Sequence, residues 1–148
     1  MKWYFVFFII VFFGSCINTQ KQNQILENQM HTKLLKAHDS LMNKMDNLVH
    51  KREKLNALLV KMRLKKSTEP SWDTLVPAIK IHKAISGLDA VDQSMMNWMQ
   101  DLDFDYQNES HMQIMQYLQK QFGNERQIDS SMKVALNSAD SVSPNVLK

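Results

Sequence analysis

Residues Leu34 to Met62 read "LLKAHDSLMNKMDNLVHKREKLNALLVKM", and their spacing decides the fold class. Alternating steps of four and three from Leu34 select Leu34, His38, Leu41, Met45, Leu48, Arg52, Leu55, Leu59 and Met62, of which seven are apolar. Steps of that size return to one face of an α-helix, whereas a strand would alternate by two. Leu35, Met42 and Val49 add a second stripe beside the first, and a face that wide predicts packing against two neighbouring helices. The spacing predicts a helix over residues 29–66, about 57 Å long at 1.5 Å per residue.

Two further helices follow by the same rule. "KKSTEPSWD" breaks the pattern with Ser67, Thr68 and Pro70, and Ser71 or Asp73 is placed to cap the next helix. That helix is predicted over residues 72–102, with Ile81, Ile85, Leu88, Val91, Met95, Trp98 and Leu102 in the seam and Gly87 as its weak point. "DFDYQNES" has turn character, and Asn108 or Ser110 can cap a third helix running to about Asp140. Its seam is read as Met115, Leu118, Phe122, Glu125, Asp129, Met132, Leu136 and Ala139, with Gly123 and the two acids making its middle the least secure part. Pro77 falls near the start of the second helix, where a missing amide is tolerated.

Composition agrees. Three glycines and three prolines in 148 residues are too few for a sheet protein, which needs a turn about every eight to twelve residues. Three helices of similar length joined by short connections predict an all-α, up-down-up antiparallel three-helix bundle with coiled-coil-like packing. The expected organisation is a signal at residues 1–15, an anchored cysteine with a polar tether at 16–28, the bundle at 29–141 and a disordered tail at 142–148.

The net charge of +3 hides an asymmetry. Residues 31–66 carry ten Lys or Arg against three Asp or Glu, a net of +7, and residues 67–148 carry six against eleven, a net of −5. An antiparallel bundle lets the basic first helix pair with the acidic run from Asp89 to Glu109. Such pairing takes up much of the positive stripe that nucleic-acid binding would need left open, and no nucleic-acid partner is expected.

Residues 3–13 are apolar or aromatic without interruption after Lys2. Spanning hydrocarbon takes roughly 20 residues, so this run is too short to cross a bilayer and suits the apolar region of a secretory signal. It ends in Gly14, Ser15 and Cys16, the chain's single cysteine. The arrangement resembles the lipobox of bacterial lipoproteins, in which the cysteine is acylated and becomes the first mature residue; Phe13 departs from the small aliphatic residue usual three positions earlier. A generic secretory signal with an incidental cysteine, or an uncleaved signal anchor, are the competing readings. With no second thiol, no intramolecular disulfide is expected after export. The expected location is the cell envelope, lipid-anchored, at the periplasmic face of the outer membrane.

Three constellations bear on chemistry. Met95, Met96 and Met99, with His111, Met112 and Met115 after the connection, supply thioethers and an imidazole of the kind that suits Cu(I); a packing role, with thioether sulfur against Trp98, competes. His31 and His38 stand seven residues apart, too far to chelate one ion alone, and a buried histidine hydrogen-bonded across the bundle is the expected role. Asp101, Asp103 and Asp105 open like a calcium loop, but Tyr106 replaces the turn glycine and Met112 the bidentate glutamate, which favours a solvated acidic helix end. No nucleophile accompanies these groups, and neither catalysis nor a cofactor is expected.

"AHDSLMNKMDNL" at residues 37–48 and "DAVDQSMMNWMQDLDF" at residues 89–104 resemble the paired segments of a family of small Bacteroidota lipoproteins, often labelled as similar to viral A-type inclusion protein. His38, Asp39, Met42, Lys44 and Met45 carry the resemblance, with Met95, Met96, Trp98 and Met99. It implies a helical envelope lipoprotein and transfers no catalytic residues. In such an envelope, "DSL" at Asp39, "DTL" at Asp73 and "DSV" at Asp140 resemble O-glycan acceptor sites, with Ser141 the best placed. The functional expectation is a structural or adaptor role toward an envelope partner, held at the membrane by lipid; the alternative is a periplasmic protein binding a soft metal or small apolar ligand.

Overall fold

The computed structural model describes residues 3–71, 73–106 and 108–142, with side chains from residue 19 onward. The protein is an all-α three-helix bundle, and no strand occurs among the described residues. Helix α1 spans Trp3–Thr68, α2 spans Leu75–Asp101 and α3 spans His111–Val142.

Helix α1 begins far ahead of the expected Gln29. From Ser15 to Glu69 there is neither glycine nor proline, and Gln, Lys, Leu, Met and Glu propagate a helix readily, so nothing local stops it. The expected tether residues are helical and, from Thr19 to Leu26, almost all exposed. The side chains of the expected signal and of Cys16 lie outside the described residues, as do residues 143–148 of the expected tail. No described helix is long and apolar enough to cross a membrane.

The chain forms two compact units, each taking part of α1 and α3. The larger comprises Ala37–Leu102 and Gly123–Lys148. Its core is built from Leu41, Leu48, Leu55, Leu58 and Met62 of α1, Ile81, Ala84, Leu88, Val91, Met95 and Trp98 of α2, and Ile128, Met132, Ala135 and Ala139 of α3. Ion pairs set the directions. Lys44 meets Asp129 and Lys51 meets Asp140, so α1 and α3 advance together. His38 lies beside Trp98 at a ring separation of 6.0 Å, while Arg52 reaches Asp89 and Asp92, so α2 runs the opposite way. A Cβ at Gly87 would sit 3.9 Å from Ala135 Cβ, an ordinary contact across the α2–α3 seam.

Two expectations need correction within this unit. Met42 and Val49, expected to pack against a second neighbour, are 41% and 36% exposed, because the seam is already closed by the leucines on one side and by His38, Met45 and Arg52 on the other. The α3 seam is displaced by one residue at alternate positions: Ile128 and Ala135 are buried, whereas Asp129 and Leu136 are half-buried. The wrong register followed the larger leucine; alanine fits where α3 approaches α2 closely.

The smaller unit comprises Met1–Lys36 and Asp103–Phe122. Leu34, Ile114, Leu118 and Gln121 are its buried residues, again one position from the expected Met115 and Phe122. Ser110 caps α3: its backbone N–H donates to Gln113 Oε1 at 2.9 Å and its Oγ accepts from Gln113 N–H at 3.4 Å. This reciprocal pair satisfies donors that the first turn leaves open. Asn108 precedes it at φ 73°, a left-handed conformation asparagine tolerates.

The start of α2 also differs from expectation. Thr74 is its N-cap but makes no side-chain cap bond, and Asp73 Oδ1 accepts from Leu75 N–H at 2.9 Å instead. Trp72, the expected first residue, lies outside the described residues. Pro77 falls in the first turn, where its missing N–H has no intrahelical partner to lose.

Candidate functional site

Two places combine shape with chemistry, one in each unit. In the larger unit the α1–α2 seam is tied by polar contacts along its outer flank. Arg52 donates to Asp89 Oδ1 at 3.0 Å and to Asp92 Oδ2 at 2.9 Å. These two carboxylates raise the guanidinium pKa further, Asp92 most. His38 Nδ1 lies 3.2 Å from Asp39 Oδ1. The expected bond across the bundle is replaced by one to the next residue, because the helix facing His38 offers Trp98 at that level. Beyond this tied seam, Met42 and Val49 of α1 and Met96 of α2 remain exposed.

In the smaller unit, Asp103, Asp105, Tyr106, Glu109, Gln113, Ile114 and Tyr117 line a cavity of about 250 Å³. Aromatic packing shapes its surroundings. His31 stacks on Phe104 with centroids 4.5 Å apart and meets Tyr106 edge-on at 6.2 Å; Tyr106 in turn meets Tyr117 at 5.9 Å. Tyr117 Oη accepts from Asp103 N–H at 2.7 Å, and Asp103 Oδ1 accepts from Asp105 N–H at 2.8 Å. Burial, then Tyr117 and Asp103, pushes the Tyr106 hydroxyl up to about 12, so it stays protonated at neutral pH. It can donate a hydrogen bond there but cannot serve as a base. Tyr106 Oη and His31 Nε2 are both buried without a hydrogen-bond partner among the described residues.

The methionine and histidine set divides between the units. Met95 is wholly buried in the core of the larger unit, Met96 is exposed and Met99 half-buried. In the smaller unit, His111 Nδ1 lies 2.6 Å from Glu27 Oε1, Met112 is exposed and Met115 half-buried. Among the described residues no group of three His, Cys, Asp or Glu side chains is arranged to hold a metal ion. Ser141 is exposed within the last turn of α3 and its hydroxyl donates to Ser138 O at 2.8 Å, so its backbone is helical rather than extended. Ser40 lies exposed on α1 and Thr74 half-buried at the α2 N-cap.

Sequence reading missed the Glu27–His111 contact, since Glu27 stood in the expected tether. It also missed Gln121, 3% exposed in a seam otherwise apolar; only the strict seven-residue register from Ile114 points to it. Comparison with known proteins finds no matching family model, no matching curated protein and no matching solved structure.

Proposed function

We propose that the protein is a lipid-anchored helical component of the cell envelope that works by protein–protein contact, as an adaptor or scaffold. Acylation at Cys16 would hold it at the membrane, and two or more acyl chains anchor firmly where one is marginal, at about 0.8 kcal/mol per buried methylene. The resemblance of residues 37–48 and 89–104 to small Bacteroidota lipoproteins supports the same location.

The observation that carries the adaptor role is the second apolar stripe of α1. Isolated exposed apolar side chains are common and mean little. Met42 and Val49, however, recur at the helical repeat, and Met96 stands exposed on the neighbouring helix of the same seam. A regular apolar line that the bundle leaves open is a surface suited to another chain.

The test is photocrosslinking in the protein's own cells, with the photoreactive residue placed at Val49 and, separately, at Asn47 on the far side of α1. A discrete adduct from position 49 that is absent from position 47 is expected. No adduct from either position, or equal adducts from both, contradicts the adaptor role.

A further inference from the structure

We propose that the outer flank of the α1–α2 seam in the larger unit is a groove for a basic amphipathic helix of a partner protein; this rests on the adaptor reading and names the chemistry of its partner. The register of the seam is fixed at two points, His38 beside Trp98 at 6.0 Å and Arg52 on Asp92 at 2.9 Å. Between them, antiparallel counting brings Met42 of α1 level with Met96 of α2. Both are exposed, at 41% and 44%, and Met45 and Met99 lie half-buried one helical position nearer the core. Unbranched thioether side chains adapt to varied apolar surfaces, and methionine-rich surfaces serve binders that accept more than one helix.

Charge selects the occupant. Residues 31–66 contain only three acids, Asp39, Asp46 and Glu53. They recur every seven residues, and Asp46 and Glu53 each stand four residues beyond an exposed apolar residue, Met42 and Val49. All three acids are exposed, and neither Asp46 nor Glu53 has an ion-pair partner among the described residues. Lys44 and Lys51 pair with α3, and Arg52 closes one end of the groove on Asp89 and Asp92. The seven-residue recurrence of Asp39, Asp46 and Glu53 gives a helix that is strongly basic overall an acidic rim along this one flank. From Asp39 to Glu53 the rim runs about 21 Å, or about four helical turns. An apolar floor and an acidic rim that share the helical repeat match a helix with apolar residues at i, i+3 or i+4 and i+7, bordered by Lys or Arg. A second copy of this chain docked by the same flank would set these acids against their own equivalents, which like-charge repulsion disfavours.

The experiment uses the full chain in a non-ionic detergent and three fluorescent 18-residue peptides: a Leu/Lys amphipathic helix, its Leu/Glu counterpart, and a Ser/Lys version without the apolar face. Saturable anisotropy is expected with the Leu/Lys peptide alone. Asp46→Lys with Glu53→Lys, both exposed and neutral to the thermal melt, is expected to weaken it at least tenfold, and so is Met42→Ser. Equal binding by the charge-reversed protein, or by the Leu/Glu peptide, overturns the proposal. Self-association in sedimentation that the charge reversal abolishes also overturns it, in favour of a second copy. Failure of the peptide alongside a discrete in-cell adduct from position 49 removes the basic helix and leaves the adaptor role; loss of both removes both.

Discussion

Glu125 and Asp129 lie one turn apart on α3 and respond to their surroundings in opposite senses. Burial, then the charge of Asp129, raises the Glu125 carboxyl above its ordinary 4.5. A carboxyl raised by folding favours its protonated form, so its contribution is present at low pH and is lost as pH rises through the folded value. Asp129 is held below its ordinary 3.8, by Lys133 first and then by Lys44. Its contribution is present above 3.8 and is lost as pH falls through the lower folded value. Glu125→Gln is therefore expected to raise the neutral-pH melting temperature and to remove the gain that wild type receives from this carboxyl as pH falls toward 4.5. Asp129→Asn is expected to cost up to about 1 kcal/mol at neutral pH and to flatten the acid limb of the melt, checked by calorimetry across pH. Trp98, 3% exposed at the closure of the seam, is expected to cost about 3–5 kcal/mol on truncation to alanine, read as a shifted denaturant midpoint. That Trp98 and the leucines at positions 34, 41, 48 and 55 belong to the core was legible from spacing alone. The partners of His31 and His38 were not, because which ring meets which helix depends on the level of crossing.

At the scale of elements, the heptads of α1, the seam of α2 and the Ser110 cap of α3 could be read, whereas the start of α1 and the register of α3 could not. A helix start is marked most clearly by breakers, and from Ser15 to Gln29 there is neither glycine nor proline, so the extension of α1 met nothing that would stop it. In α3 the inward positions 121 and 135 hold Gln121 and Ala135, a polar and a small residue that lose to Phe122 and Leu136 in any reading by hydrophobicity. The acidic rim of α1 was also present as spacing, but its meaning depends on which stripe the neighbours leave uncovered. Gly123 has nothing within 4 Å of a Cβ, so Gly123→Ala is expected to stabilise α3 by about 0.5–1 kcal/mol. Gly87→Ala, at 3.9 Å from Ala135 Cβ, is expected to be tolerated as well. Ser110→Ala removes one half of the reciprocal cap and is expected to cost about 1 kcal/mol. Urea midpoints of the three variants check these values together; a destabilised Gly123→Ala would contradict a continuous α3.

For the whole molecule, the all-α bundle followed from few breakers, long heptads and two connections, since three such helices have few other ways to bury one stripe each. The surface proposed for an adaptor was less legible, because such surfaces are defined by what remains uncovered, and exposure is a property of the assembled helices. The proposed place of the chain in the cell depends on Cys16, and metabolic labelling with an alkyne fatty acid tests that proposal most directly. Wild type is expected to take up label and to run at mature size in the membrane fraction, while Cys16→Ser takes up none and keeps the precursor mass. A wild-type protein without label, identical in size and fractionation to Cys16→Ser, would contradict the anchored scaffold.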